Sequence, residues 1–204
     1  KINDVCEKNN IQFISMYGQT EASPRMSFLP SRFNKDKINC IGKAIPNGKF
    51  KIVDRNNKNI SKINISGELV YLGKNVSLGY ATSYLDLKKV DENKGILFTG
   101  DIAKRDSDNF YYITGRKKRF LKIFGNRINL DEIEQNLNNV GFKWVCGGND
   151  KKIIICFTSK KKQIKLMNYA SKLINLNKNY IEFSYIEKIN RTSRGKIEYK
   201  KLKK

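Results

Sequence analysis

The chain has 204 residues, with 41 lysines and arginines against 19 aspartates and glutamates, no histidine and a formal net charge of +22. This length allows one large or two small domains with a real core, while the absence of histidine excludes a Ser-His or Cys-His dyad and an imidazole-ligated metal. Any chemistry carried here therefore rests on Lys, Arg, Asp, Glu and backbone groups, and the charge alone admits an alternative: a catalytically silent, basic interaction module, with nucleic acid as one partner. No recognised nucleic-acid motif accompanies the lysines, which with asparagine fill surface positions along the whole chain.

In chain order, residues 4 to 10 read as the end of a helix and residues 11 to 17 as a buried strand. That strand delivers Tyr17-Gly18-Gln19-Thr20-Glu21 to a loop made tight by Gly18 and Pro24. Residues 41 to 48 form a turn cluster, after which Phe50 and Ile52 alternate with Lys49 and Lys51 as in a half-exposed strand. A polar turn over 54 to 58 and a strand over 67 to 71 complete a small antiparallel or barrel-like unit. Gly67, Gly73 and Gly79 serve its backbone geometry. Residues 84 to 90 are a short helix or loop, and Ile96-Leu97-Phe98 is an apolar strand expected to stop at Thr99-Gly100-Asp101. A carboxylate on such a turn can accept two hydrogen bonds from a vicinal diol such as a ribose; in a lone Thr-Gly-Asp, however, the Asp far more often simply stabilises the turn. Residues 106 to 109 turn a hairpin into 110 to 113.

From Gly115 to Lys122 five of eight residues are basic, namely Arg116, Lys117, Lys118, Arg119 and Lys122. A run of this kind is usually a solvated face. Here Phe120 and Leu121 interrupt it, and residues 123 to 128 then read as a tight hairpin around Gly125. Asn129 fits an N-cap with Glu132 at N3, opening a helix over 130 to 139 with Leu130, Ile133 and Leu137 on one face. A strand over 144 to 146, a turn at Gly147-Gly148-Asn149-Asp150 and a strand over 152 to 158 follow. Next come a helix from about 161 to 174, with Ile164, Met167, Ser171 and Ile174 near one face, and a strand over 181 to 189. Residues 190 to 196 are a loop and a short basic helix starts at 197. Two helices against a three-stranded sheet make an independent α+β domain, so the fold class is α+β with domains at 1–117 and 118–204. Basic residues outnumber acidic ones by 20 to 12 in the first and by 21 to 7 in the second. Cys6, Cys40, Cys146 and Cys156 lack metal-like spacing and read as structural thiols. No run approaches the ~18 apolar residues of a membrane span and no signal-peptide layout opens the chain, so a cytoplasmic protein is expected.

Five stretches, taken together and in this order, resemble the adenylate-forming superfamily of acyl-CoA synthetases, nonribosomal peptide synthetase adenylation domains and luciferases. They are Tyr17-Gly-Gln-Thr-Glu21; Gly67-Glu-Leu-Val-Tyr-Leu-Gly73 with Gly79-Tyr80; Thr99-Gly-Asp101; Gly115-Arg116 through Glu134; and Arg191-Thr-Ser-Arg-Gly-Lys196. The resemblance implies ATP and Mg2+ as cofactors, a fatty, aryl or amino acid as substrate, and the phosphopantetheine thiol of coenzyme A or an acyl carrier protein as acceptor. It implies that Tyr17 and Gly18 lie at the adenine, that Thr20 bonds the α-phosphate and that Glu21 holds the metal. Asp101 is then a ribose contact and Arg116 a ribose or phosphate contact. Lys196 is the catalytic lysine that bridges carboxylate and α-phosphate, and Thr20 and Glu21 join it in catalysis. Residues 1–117 would be the C-terminal part of the AMP-binding core domain, and 118–204 a mobile lid turning about Lys118 to bring the Gly125 hairpin to a thiol tunnel. Asn190 stands where the family often has Pro. The family's Gly/Ser/Thr-rich phosphate loop and most of its acyl pocket lie upstream of Tyr17 and are not in these residues. The expectation is thus the C-terminal portion of a longer enzyme, or a truncated product.

Overall fold

The computed structural model describes residues 2–139, 143–159, 163–174 and 176–202, which fall into two compact units, Lys1–Lys117 and Lys118–Lys204. The first unit begins with α1 (Ile2–Lys8). Seven strands follow: β1 (Ser15–Tyr17), β2 (Ser27–Leu29), β3 (Cys40–Ala44), β4 (Lys49–Val53), β5 (Gly67–Leu72), β6 (Ile96–Arg105) and β7 (Tyr111–Arg116). They form one antiparallel sheet in the order β1-β2-β3-β7-β6-β5-β4. It is open. β1 spans three residues and pairs with β2, β4 pairs with β5, and the described residues form no closed barrel, contrary to the barrel-like expectation. Alternation along β4 follows the sequence pattern, with Phe50 and Ile52 buried against Leu69 and Tyr71 of β5.

Two elements depart from expectation in ways that matter for the site. The buried strand foreseen over 11 to 17 is reduced to Ser15–Tyr17, and Ile11, Ile14 and Met16 are exposed, because β2 offers only three partner residues. The strand expected to end at Phe98 instead continues through Thr99-Gly100-Asp101 to Arg105. It does so over an irregularity: Val70 faces Phe98 but Glu68 faces Ile102, so two steps along β5 oppose four along β6. Gly100 sits at φ +70, a conformation that costs a glycine little. The carboxylate of Asp101 is thus presented from a bulge inside a paired strand.

In the second unit β8 (Phe120–Ile123) and β9 (Asn126–Asn129) form a hairpin. Ile123 faces Asn126, leaving Phe124 and Gly125 as a two-residue turn with φ +48 and +76, as a type I′ hairpin requires. Next is α2 (Leu130–Asn139), capped as the sequence suggests: Asn129 Oδ1 accepts from the amides of Asp131 at 3.1 Å and Glu132 at 3.5 Å. Leu130, Ile133 and Leu137 are buried, and so is Glu134.

β10 (Trp144–Asn149), β11 (Lys152–Phe157) and β12 (Ile181–Tyr185) make a three-stranded sheet, and α3 (Gln163–Ile174) lies between β11 and β12 in sequence. Part of the helix expected from 161 lies outside the described residues, as does the side chain of Ile164. The turn expected at 147 to 150 is mostly strand, since β10 runs through both glycines to Asn149. Likewise the strand foreseen over 181 to 189 stops at Tyr185. One face of this sheet joins α2, the hairpin and Ala170 of α3 in a core that includes Trp144, Cys146, Ile153, Ile155 and Phe157. On the other face Val145, Ile154 and Cys156 are covered by Ile186, Ile189, Ile197 and Leu202 from the C-terminal segment.

Candidate functional site

The first unit brings two distant stretches together. The Tyr17 hydroxyl donates to Asp101 Oδ2 at 2.6 Å across 84 residues of sequence. Gln19 Nε2 donates to the same oxygen at 3.1 Å and to the Thr99 carbonyl at 3.0 Å. Thr99 is itself fixed, its Oγ1 donating to the Leu69 carbonyl and accepting from the Asp101 amide. Burial, then the hydrogen bond to Asp101, push the Tyr17 phenol well above its ordinary pKa, so it remains the donor. The Tyr17 ring packs near Phe50, with centroids 6.4 Å apart. With Oδ2 taken twice, Oδ1 is the oxygen with open lone pairs. It faces Arg116 Nε at 3.3 Å, opposite in the β6–β7 register, and the Arg116 side chain is 69% exposed.

Between these groups runs the turn Gly18 to Glu21. A Cβ on Gly18 would lie 1.8 Å from the Pro24 carbonyl oxygen, so only glycine lets the chain pass. Thr20 opens a 3-10 turn, Thr20–Ala22, and is exposed. Asn75 props that turn by donating to the Ala22 and Arg25 carbonyls, and is held in turn by the Tyr71 hydroxyl. Glu21 accepts a short hydrogen bond from Tyr80. That bond, with a backbone hydrogen bond, holds its carboxyl below the usual range, so it is ionised at neutral pH. A lone ionised carboxylate suits a magnesium ion that keeps most of its waters and shares the rest with phosphates. Gln19, Glu21, Tyr80, Phe98 and Thr99 border a cavity of about 290 Å3, close to the smaller end of small-molecule sites.

The other expected residues lie in the second unit. Lys196 is exposed at the base of a tight loop. Its amide donates to Thr192 Oγ1 at 3.2 Å, its carbonyl accepts from the Thr192 amide at 2.8 Å, and Gly195 takes φ +77. The loop is further tied by Arg191 Nη1 to the Gly195 carbonyl and by the Glu198 amide to the Asn190 carbonyl. Gly125 occupies the hairpin turn beside Phe124, whose ring meets Tyr180 at 4.5 Å. Lys118 is exposed in the short turn Lys117–Arg119.

A family profile described as AMP-binding enzyme matches residues 2–81. 4-Coumarate-CoA ligase 1 of Oryza sativa subsp. japonica is 28% identical over 204 aligned residues, covering 92% of this chain and 36% of the relative. Acyl-CoA synthetase ACTT5 of Alternaria alternata is 30% identical over 128 residues, covering 62% and 22%. These matches support the adenylate-forming superfamily. Among solved structures, O-succinylbenzoate coenzyme A synthetase (MenE) from Bacillus subtilis superposes with a TM-score of 0.74 over 98% of this chain and 43% of its own, at 22% identity, a likeness of fold. The chain spans less than half the length of each of these three proteins. None of them favours the silent basic module. No helix among the described residues is long and apolar enough to cross a membrane.

Several site residues escape a reading of the superfamily boxes. Gln19 occupies the variable position of its box, and Tyr80 follows a glycine read as purely conformational. Asn75 falls between boxes. In the second unit Arg119 is buried and joined to Asp131, Glu134 and Tyr199. A hydrophilic residue at a position whose helical or strand partners are apolar was the available signal for Glu134, which shares the buried face of α2 with Leu130 and Ile133.

Proposed function

We propose that this chain is the C-terminal portion of an AMP-forming acid-thiol ligase, with residues 1–117 closing its nucleotide-binding core and 118–204 forming its lid. The observation that carries this reading is the Tyr17–Asp101 bond with its Gln19 brace, because it holds a carboxylate oxygen open beside a turn bearing Thr20 and Glu21. An adenosine ribose would bond Asp101 Oδ1 in place of Arg116, which would move to a phosphate. Thr20 would donate to the α-phosphate and Glu21 would hold the magnesium ion, whose contribution is to neutralise phosphate charge. MenE has been seen with ATP and magnesium ion and with an acyl-adenylate, which supports carrying these ligands to the present site.

In the first half-reaction a carboxylate oxygen of the substrate attacks the α-phosphorus, and the bond to pyrophosphate breaks. Lys196 supplies the positive charge that offsets repulsion between the two anions as they meet. In the second, a thiol attacks the acyl carbonyl, the bond to AMP breaks, and the thiol proton is lost to solvent. Coenzyme A is favoured as acceptor by the relatives, which are named as CoA ligases and synthetases. Lys118, the first residue of the second unit, is the proposed pivot between half-reactions.

The test is ATP-pyrophosphate exchange by the full-length protein with magnesium chloride and a panel of 4-coumarate, o-succinylbenzoate, octanoate and palmitate. At least one acid should support exchange, and Lys196→Ala should remove most of it while AMP binding persists. Exchange unaltered by Lys196→Ala refutes the assignment of the lysine, and no exchange with any acid refutes the ligase.

A further inference from the structure

Arg119 is the one buried base of the run that begins at Arg116, and its guanidinium is used on every side. Nε donates to Asp131 Oδ1 at 2.7 Å, Nη2 to Glu134 Oε1 at 2.6 Å and Nη1 to the Cys146 carbonyl at 2.7 Å. Its face lies 3.7 Å from the centre of the Tyr199 ring. Glu134 is equally engaged, Oε1 also accepting from the Cys146 amide at 2.6 Å and Oε2 from the Tyr199 hydroxyl at 2.9 Å. Charges taken out of water in this way are weak evidence for stability, since apolar residues of the same volume often serve as well; their better-attested use is to specify one arrangement among several.

What this cluster specifies can be read from the chain. Arg119 adjoins Lys118, Asp131 and Glu134 stand on the first turns of α2, and Tyr199 is three residues beyond Lys196. The Lys196 loop itself is exposed from 191 to 196. Its C-terminal side is held by apolar contacts of Ile197 and Leu202 with the sheet, which are non-directional, and by the Tyr199 hydroxyl and ring, which are directional. We propose that Arg119, Glu134 and Tyr199 form a positioning cluster that fixes where Lys196 sits, so that they act in acid activation and not in thiol transfer. This rests on the role given to Lys196 above. Burial and the adjacent Glu134 push the Tyr199 phenol up from its ordinary pKa, keeping it a donor at any working pH. Displacing a catalytic group by about 1 Å can cost on the order of 100-fold in rate, so a loosened stem should register clearly.

Tyr199→Phe keeps the ring over Arg119 and deletes the bond to Glu134. In the full-length protein, with the panel acid that turns over, pyrophosphate exchange should fall at least about tenfold in kcat. Thioester formation from that acid's preformed adenylate and coenzyme A should stay within about twofold, because that step does not use Lys196. Without any substrate, amide hydrogen exchange over residues 190–198 should quicken about tenfold or more, as the loop opens without its anchor. Arg119→Lys, which keeps the charge and loses the fork, should show the same split. Equal losses in both half-reactions, or unchanged amide exchange in the loop, overturn the proposal. Lys196→Ala run in parallel separates the two levels: if it leaves pyrophosphate exchange intact, the role of the lysine fails; if it alone abolishes exchange and both cluster variants are normal, the positioning role fails.

Discussion

Replacing Asp101 by Asn tests the nucleotide site at its most constrained atom. All three neighbours of the carboxylate are donors: Tyr17 and Gln19 on Oδ2 and Arg116 on Oδ1. An amide can satisfy only one side. The two inward bonds are the shorter and the more buried, so the amide oxygen should turn to them and its NH2 should face outward where the ribose is proposed to bind. Each inward bond then passes from a charged to a neutral acceptor, a loss of about 1 kcal/mol apiece and about 2 kcal/mol of stability for the first unit. The Arg116 pair adds little, since that arginine is 69% exposed and exposed pairs are worth about 0–1 kcal/mol. For a ligand the effect is larger relative to its affinity: a hydroxyl that met a carboxylate oxygen now meets a donor, which forfeits about 1.5–3 kcal/mol, or roughly 10- to 150-fold in the Kd of AMP. Isothermal titration of AMP into the full-length protein and its Asp101→Asn variant reads this directly. Tyr17→Phe is the control, because it removes one brace and leaves Oδ1 charged, and it should weaken AMP several-fold less. A variant Kd within twofold of the unsubstituted value would refute the ribose assignment.

Lys118→Pro should slow thioester formation more than pyrophosphate exchange, because proline holds φ near about −65° and removes a donor at the proposed pivot; equal losses would make residue 118 merely structural. Tyr80→Phe should raise the Glu21 pKa toward the ordinary carboxylate range, since the Tyr80 bond is the main cause of its depression, and carbon-13 titration of the Glu21 carboxyl would show it. The sign for stability follows: a depressed folded-state pKa contributes stability above the unfolded pKa that is lost as pH falls through the folded one, so the variant should lose less on acidification. An unshifted Glu21 titration in Tyr80→Phe would contradict the hydrogen bond.

The stretch from Phe120 to Asn139 was legible because each of its signals is local. A two-residue turn with Gly second, an Asx cap and a 3.6-residue apolar period need no knowledge of the remainder of the chain. Elements that depend on distant partners were not. Ile11 to Ile14 have strand propensity, yet the facing β2 is three residues long, and propensity without a partner makes no strand. Gly147 and Gly148 suggested a turn, but the structure uses them for close approach. A Cβ on Gly147 would lie 3.1 Å from Leu202 Cβ, and one on Gly148 would lie 2.3 Å from the Lys152 carbonyl oxygen. Thr99-Gly100-Asp101 was singled out for its carboxylate and placed on the wrong feature, because a glycine at positive φ serves a bulge within a strand as well as a turn after one. The bond from Tyr17 to Asp101 joins stretches 84 residues apart, and no spacing rule points from one to the other.

The basic run shows the same limit at single-residue scale, and its resolution bears on how the chain could work. Arg116 to Arg119 are four consecutive cations that composition treats as equivalent. The structure divides them. Arg116 pairs with Asp101 and Lys117 Nζ with Glu68 Oε2 at 2.5 Å, both within the first unit. Arg119 pairs with Asp131 and Glu134 within the second. Lys118 alone of the four is exposed with no ion pair among the described residues. A pivot needs this distribution, because a residue that changes its backbone angles cannot keep a side-chain tether without breaking it at each turn, whereas its neighbours must be tethered if the rotation is to be confined to one bond. Charge by itself therefore says little about the run; the side on which each cation finds its carboxylate is what supports Lys118 as the proposed pivot.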